Sequence, residues 1–144
     1  CHNLLKSDGV MLLHTIGRLD GPSSTDAFTR KYIFPGGYAP ALSEIMLGSE
    51  PNRLLLTDVE VLRLHYYHTL RHWYARVLDA REQIIDLYDE RFFRMWTFYL
   101  AASASGFLYG SQTIYQLQYV RNRHSLPITR DYMAQAEAHY RTLG

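Results

Sequence analysis

The sequence predicts an α/β fold, and three observations carry that reading. A continuous apolar run, Val10 to Leu13, follows a Ser-Asp-Gly turn. A β-rich set, Thr113, Ile114, Tyr115, Leu117, Tyr119 and Val120, stands far along the chain. Between them, apolar residues recur at helical spacing. Short apolar runs bounded by turn residues suit strands, and the amphipathic segments between suit helices packed on them.

In chain order, Leu4 and Leu5 read as the end of a helix and Ser7-Asp8-Gly9 as a turn. The run from Val10 then reads as a strand buried on both faces of a parallel sheet. Asp20 to Thr25 is polar with Gly and Pro, hence loop; Thr29 to Phe34 reads as apolar, and Pro35-Gly36-Gly37 forces a turn. Pro40 sits where a first helical turn tolerates it, and Ala41 to Leu47 reads as a short helix ending before Gly48. Arg53 to Leu62, with Leu, Val and Thr in weak alternation, is a second strand. Leu70, Trp73, Val77 and Leu78 mark one amphipathic helix opening near Tyr66, and Phe92, Met95, Trp96, Tyr99 and Leu100 mark another. Ser111 to Arg121 is the third strand, wetter on one face because Gln116 and Gln118 take alternate positions. Thr129 is placed to cap a last helix, with Asp131 in its first turn, running to about Leu143. No repeat, low-complexity tract or linker divides the chain, so residues 1–144 read as one piece of a domain.

Composition narrows the function classes. At 47% hydrophobic the chain can bury a core, and 15 Lys plus Arg against 14 Asp plus Glu leave no global positive field to favour nucleic acid. The cluster Arg121-Asn122-Arg123-His124 reads either as a solvated strand end or as a contact for anionic headgroups. The single Cys, at position 1, makes no internal disulfide. No run approaches the ~18 to 20 apolar residues of a spanning helix, and no basic-then-apolar signal pattern is present. The sequence therefore reads as cytoplasmic and soluble, with any lipid contact peripheral. His65, His68 and His72 stand at helical i, i+3, i+7 spacing, but no carboxylate or thiolate cluster joins them as a metal site would require.

Several segments together resemble one family. They are Leu12-Leu-His-Thr-Ile-Gly17, Lys31-Tyr-Ile-Phe-Pro-Gly-Gly-Tyr38, His65-Tyr-Tyr-His-Thr-Leu70 and Tyr88-Asp-Glu-Arg-Phe-Phe-Arg-Met-Trp-Thr-Phe-Tyr-Leu100, continuing to Gln116. All resemble the C-terminal half of the cyclopropane-fatty-acyl-phospholipid synthases and mycolic acid cyclopropane synthases, which are S-adenosylmethionine-dependent methyltransferases acting on lipid double bonds. The resemblance implies the C-terminal part of a Rossmann-like methyltransferase fold: its last three strands with inserted helices, the final strand antiparallel between its neighbours, and the cofactor-binding half lacking. No G-x-G turn follows a strand here, and the family's acidic ribose residue and bicarbonate-site Glu have no counterpart in these residues. The implied cofactor, S-adenosylmethionine, would thus be held by residues upstream. The isolated chain is expected to be inactive and to self-associate through its first strand.

The same resemblance assigns roles. His14 and the backbone amide of Ile16 would help hold a bicarbonate ion, with Tyr66 donating its hydroxyl, and that ion would act as general base. From spacing alone, His14 equally reads as a core histidine satisfying a hydrogen bond. Phe34 would face the reacting methyl and the cation, aimed by the turn after it; alone it reads as ordinary core. Leu70, Ser103 and Phe107 would line the acyl-chain tunnel, although Leu70 on its stripe could be pure core. Ser103 departs from the Cys usual in relatives, and Ala39 stands where a larger Leu is common. The implied partners are a phospholipid with an unsaturated acyl chain and the inner membrane face. The alternatives are a related small-molecule methyltransferase and a non-catalytic lipid-binding or interaction module.

Overall fold

The computed structural model describes all 144 residues. Three strands and five helices follow in the order β1 (Val10–Arg18), α1 (Leu42–Ser49), β2 (Leu55–Val61), α2 (His65–Asp79), α3 (Arg81–Leu87), α4 (Glu90–Leu108), β3 (Gln112–Val120) and α5 (Asp131–Arg141). The strands form one sheet in the order β1-β3-β2, with β3 antiparallel to both neighbours. The antiparallel last strand lies between its neighbours, as expected.

β3 is central because it alone is apolar enough for both faces to be covered. Its odd residues Tyr115, Leu117 and Tyr119 are buried with Met11 and Leu13 of β1, Val59 and Val61 of β2, and Leu42 and Ile45 of α1. On the opposite face Ile114 is buried under Leu70 of α2 and Leu100, Ala104 and Phe107 of α4. Gln116 and Gln118 also lie on that second face, where Gln118 accepts the Tyr132 hydroxyl of α5 at 2.8 Å. The β2 ladder shifts register between Leu56 and Asp58. The hydroxyl of Thr57, at the shift, donates to the Gln118 carbonyl at 3.1 Å, recovering a contact the irregularity would otherwise lose.

Several expectations need correction. β1 is not buried on both faces of a parallel sheet. It pairs with one antiparallel neighbour and alternates in exposure, with Val10, Leu12, His14 and Ile16 outward. Thr29–Ile33 forms one turn of π-helix. The short helix starts one residue later than expected, continues past Gly48 to Ser49 and then tightens into a 3-10 turn at Glu50–Asn52. Three helices, not two, separate β2 from β3: Ala80 breaks α2 from α3, and Tyr88 at φ −126°, ψ −100° breaks α3 from α4. Asp89 then caps α4, its carboxylate accepting the Phe92 N–H at 2.6 Å. Thr129 does not cap α5; its hydroxyl donates to Asp131 instead, at 3.0 Å, leaving Arg130 as the capping position.

The end of β1 is pinned from both sides. A Cβ on Gly17 would come within 2.5 Å of the Tyr115 ring and 2.8 Å of the Pro40 carbonyl, so only glycine fits there. That close approach lets the Tyr115 hydroxyl donate to the Arg18 carbonyl at 2.7 Å.

Candidate active site

His14 pairs across the ladder with Gln116, and Ile16 with Ile114. Nε2 of Gln116 and Nδ1 of His14 are 3.1 Å apart. With the amide donating, Nδ1 is the acceptor, and the imidazole carries its proton on Nε2, directed away from the sheet contact. Glu60 flanks Gln116 from β2, so His14, Gln116 and Glu60 form one row across this face.

The ladder also sets the direction of the Ile16 amide. Ile114 turns its carbonyl toward β2, where it accepts the Leu62 N–H at 2.9 Å. In an antiparallel pair a residue's N–H and C=O point to the same side, so Ile16 opposite it forms a non-hydrogen-bonded pair. Its N–H therefore points outward, along the open edge of β1. Arg18, two residues on, follows the same rule: its N–H bonds the Pro40 carbonyl at 3.0 Å.

Tyr66 lies in the first turn of α2, half-buried, with ring centroids 5.1 Å from Phe107 and 5.7 Å from Trp73. Burial, and secondly repulsion from the neighbouring Tyr99 phenol oxygen on ionisation, pushes its phenol above the usual tyrosine value. At neutral pH it is therefore a hydrogen-bond donor. Tyr66 packs on the cluster containing Ile114 and Phe107. Ile114, opposite Ile16 on β1, is a member of that same cluster.

Phe34 is 52% exposed and meets Tyr99 edge-on at 5.9 Å, and Tyr99 lies 5.2 Å from Trp96. The turn after it is held at several points. Gly36 takes φ 79°, in the left-handed region; the Gly37 N–H bonds the Phe34 carbonyl at 2.9 Å; and the Thr25 hydroxyl donates to the Gly37 carbonyl at 2.6 Å. Tyr38 donates to Glu44 at 2.7 Å, and the same carboxylate accepts the Ala41 N–H at 2.8 Å, capping α1. These bonds raise the Tyr38 phenol above its ordinary value and hold the Glu44 carboxyl below its own. The Pro-Gly-Gly turn is thus tied to α1, and Phe34 with it.

Leu70 and Phe107 are core residues of the helical layer, at 1% and 4% exposure, and half-buried Ser103 sits one turn before Phe107 on α4. The structure thus collects these residues into two groups: His14 and Ile16 on the β1 edge, and Tyr66, Leu70, Phe107 and Phe34 in and around the α2–α4 layer. Gln116, Tyr99 and Glu44 were not singled out from sequence. A Gln at an alternate position of the central strand was the available signal for the first; the other two carried none.

The donor set suits an anion. An imidazole N–H, an outward main-chain N–H and a neutral phenol are all donors, with Glu60 on the far side of Gln116 the one carboxylate of that row. The residues do not suit S-adenosylmethionine by themselves. The glycine at the end of β1, where a phosphate- or cofactor-facing turn would need open backbone, is instead filled by Tyr115 and Pro40. No group of three or more His, Cys, Asp or Glu is close enough to hold a metal ion, and His65, His68 and His72 are all exposed on α2. No helix is long and apolar enough to cross a membrane.

Residues 1–117 match the family described as Mycolic acid cyclopropane synthetase. The chain belongs to this family. It is 39% identical over 117 residues to the cyclopropane-fatty-acyl-phospholipid synthase of Escherichia coli K12, covering 81% of this chain and 30% of that protein. It is also 39% identical over 99 residues to the tuberculostearic acid methyltransferase UfaA1 of Mycobacterium tuberculosis, covering 67% of this chain and 23% of that one. Among solved structures, the mycolic acid cyclopropane synthase CmaA1 complexed with SAH and CTAB superposes with a TM-score of 0.74 at 30% identity, over 82% of this chain and 46% of that one. The cyclopropane synthase MmaA2 from Mycobacterium tuberculosis gives 0.75 at 28% identity with the same coverage. The fold corresponds to the C-terminal part of these methyltransferases. The chain spans between about a quarter and a third of the length of the curated relatives it matches.

Proposed function

We propose that the protein containing this chain is an S-adenosylmethionine-dependent cyclopropane synthase that adds a methylene group across the cis double bond of a phospholipid acyl chain. Residues 1–144 are the C-terminal segment of its catalytic domain on this reading, and the cofactor is held by residues outside it. The observation that carries the proposal is the outward Ile16 N–H beside His14, on the sheet face whose apolar cluster the Tyr66 ring packs against. His14, Ile16 and Tyr66 hold a bicarbonate ion, which supplies a general base when bound. Phe34 and Tyr99 supply ring faces, the negative side of the aromatic quadrupole, that tolerate positive charge on the acyl chain without bonding to it. Leu70, Ser103 and Phe107 belong to the wall that keeps water from that charge.

A second reading, methylation without ring closure, is supported by the relatives named tuberculostearic acid methyltransferase and sphingolipid C9-methyltransferase, the latter 33% identical in Gibberella zeae. Incubating the full-length protein with methyl-labelled S-adenosylmethionine and unsaturated phosphatidylethanolamine separates the two. A cyclopropane ring in the recovered acyl chain is expected. A branched methyl product would favour the second reading, and no transfer to lipid would defeat both.

The isolated chain is proposed to associate through β1. Leu12 on its outer face is 60% exposed, and the strand edge carries unpaired amides. Light scattering on the 144-residue chain should give a mass above the monomer that falls when Leu12 is changed to Lys. A wild-type monomer at high concentration would refute this.

A further inference from the structure

We infer that the face built from the Thr29–Ile33 turn and the N-terminal half of α4 is a docking surface for an anionic lipid bilayer. The inference rests on the lipid-substrate reading for its choice of partner, but its geometry stands apart from the His14 edge. Phe28, Tyr32, Phe92 and Met95 line a groove of about 440 Å³ with Asp89 and Arg91 at its sides. Phe28 holds the turn against α4, with its ring centroid 4.9 Å from Phe98 and 5.5 Å from Tyr32. Tyr88 extends the aromatic surface by stacking on Phe92 at 4.2 Å. Tyr32, Tyr88 and Phe98 are 44%, 61% and 57% exposed, so large rings face water together where single exposed rings would be ordinary.

Charge narrows what covers them. Arg30 and Lys31 stand on the turn, and Arg91 and Arg94 on α4 flank Met95 and Phe98 at helical spacing. None of the four is in a salt bridge; the four ion pairs of the molecule are Arg18–Asp20, Arg81–Glu90, Arg130–Asp58 and Arg141–Glu137. Of the nearby acids only Glu90 is ion-paired, so the four cations stand against the two carboxylates of Asp26 and Asp89, both held by backbone N–H groups. Asp26 accepts the Thr29 N–H at 2.9 Å, Asp89 accepts the Phe92 N–H, and Glu90 is paired with Arg81. Exposed aromatic rings among free cations are complementary to the interfacial zone of a bilayer, with rings at headgroup depth and cations on lipid phosphates. Tyr, Phe, Met and Arg also mark protein interfaces, so it is the lipid-substrate reading that selects the bilayer as the partner. The position is also productive, because Phe34 lies two residues beyond Tyr32. A chain drawn from the bilayer at this face would meet the Phe34–Tyr99 pair first.

Co-sedimentation of the 144-residue chain with vesicles tests this, using phosphatidylcholine alone or mixed with phosphatidylglycerol. Binding should require the anionic lipid and weaken with salt. Each cation removed should cost about fivefold in partitioning, and each charge reversal more. Arg91→Glu with Arg94→Glu should therefore lose well over tenfold, while Arg123→Glu, in the cluster after β3, stays near wild type. Lys31→Glu, in a loop, gives the same direction if the double variant fails to fold. Leu12→Lys separates this face from β1 and should bind normally. Equal binding to phosphatidylcholine alone, an unaffected Arg91/Arg94 variant, or retention only on an acidic carrier protein would overturn the inference. Methyl transfer to detergent-dispersed lipid by the full-length protein does not need this surface. Loss of vesicle binding with transfer intact would therefore leave the proposed function standing.

Discussion

In the full-length protein, Tyr66→Phe and His14→Ala should each lower the rate of cyclopropane formation by about 10² to 10³, the size seen when one donor around a catalytic anion is removed. Phospholipid binding should change little, since neither variant removes apolar surface from the α2–α4 layer. The two variants remove different donors to one anion, so the double variant should fall well short of the product of the single losses. Tyr66→Phe keeps the ring that packs on Phe107 and Trp73, which makes it a clean deletion of the hydroxyl. Added bicarbonate should partly restore Tyr66→Phe, and more of it should be needed than for wild type. Gln116→Leu should act in the same direction by freeing the His14 ring, with a smaller effect. Its distinguishing readout is the ¹⁵N shift of the His14 nitrogens, which should report a tautomer mixture in place of a single form. Wild-type turnover with unchanged bicarbonate dependence in Tyr66→Phe and His14→Ala would mean that both are structural residues.

Much of this arrangement was legible in the residues, and the failures have physical causes. Strands β2 and β3 were readable because apolar and β-branched residues repeat within turn-bounded segments, as at Thr113 to Val120. β1 was readable as a strand, but its environment was not. A run such as Val10-Met-Leu-Leu13 fits burial on both faces equally well as an edge with one apolar face in water, and only pairing partners decide. The split between α3 and α4 depends on the single backbone conformation of Tyr88, which no periodicity reveals. Thr129 and Asp131 satisfied the local rule for a cap, yet the hydroxyl found the carboxylate before the backbone.

For the site, His14, Ile16 and Phe34 could be placed by resemblance, whereas their supports depend on tertiary registration. Gln116 lies 102 residues from His14 and meets it only through the β1–β3 register. Glu44 of α1 holds the turn after Phe34 through Tyr38, a contact that a reading of local spacing treats as an ordinary helix-start acid.

Leu100→Ala should be the most destabilising single substitution in the helical layer, costing about 2 to 5 kcal/mol. Leu100 has no exposed surface and packs with Leu70, Ala104, Phe107 and Ile114, so it touches α2, α4 and the central strand together. Its removal strips apolar contacts from all three and leaves a cavity that two helices and a sheet cannot easily close. Against a typical total of about 5 to 15 kcal/mol, that loss is a large fraction of the stability. In urea the midpoint should fall sharply with an unchanged slope, since the surface exposed on unfolding is nearly the same. Leu12→Ala makes the matching control. The side chain is the same but faces water on β1, and its cost should stay within about 0.5 kcal/mol. If the two substitutions cost the same, the α2–α4 layer is not packed on the sheet as described, and the shared cluster of Ile114 and Tyr66 falls with it.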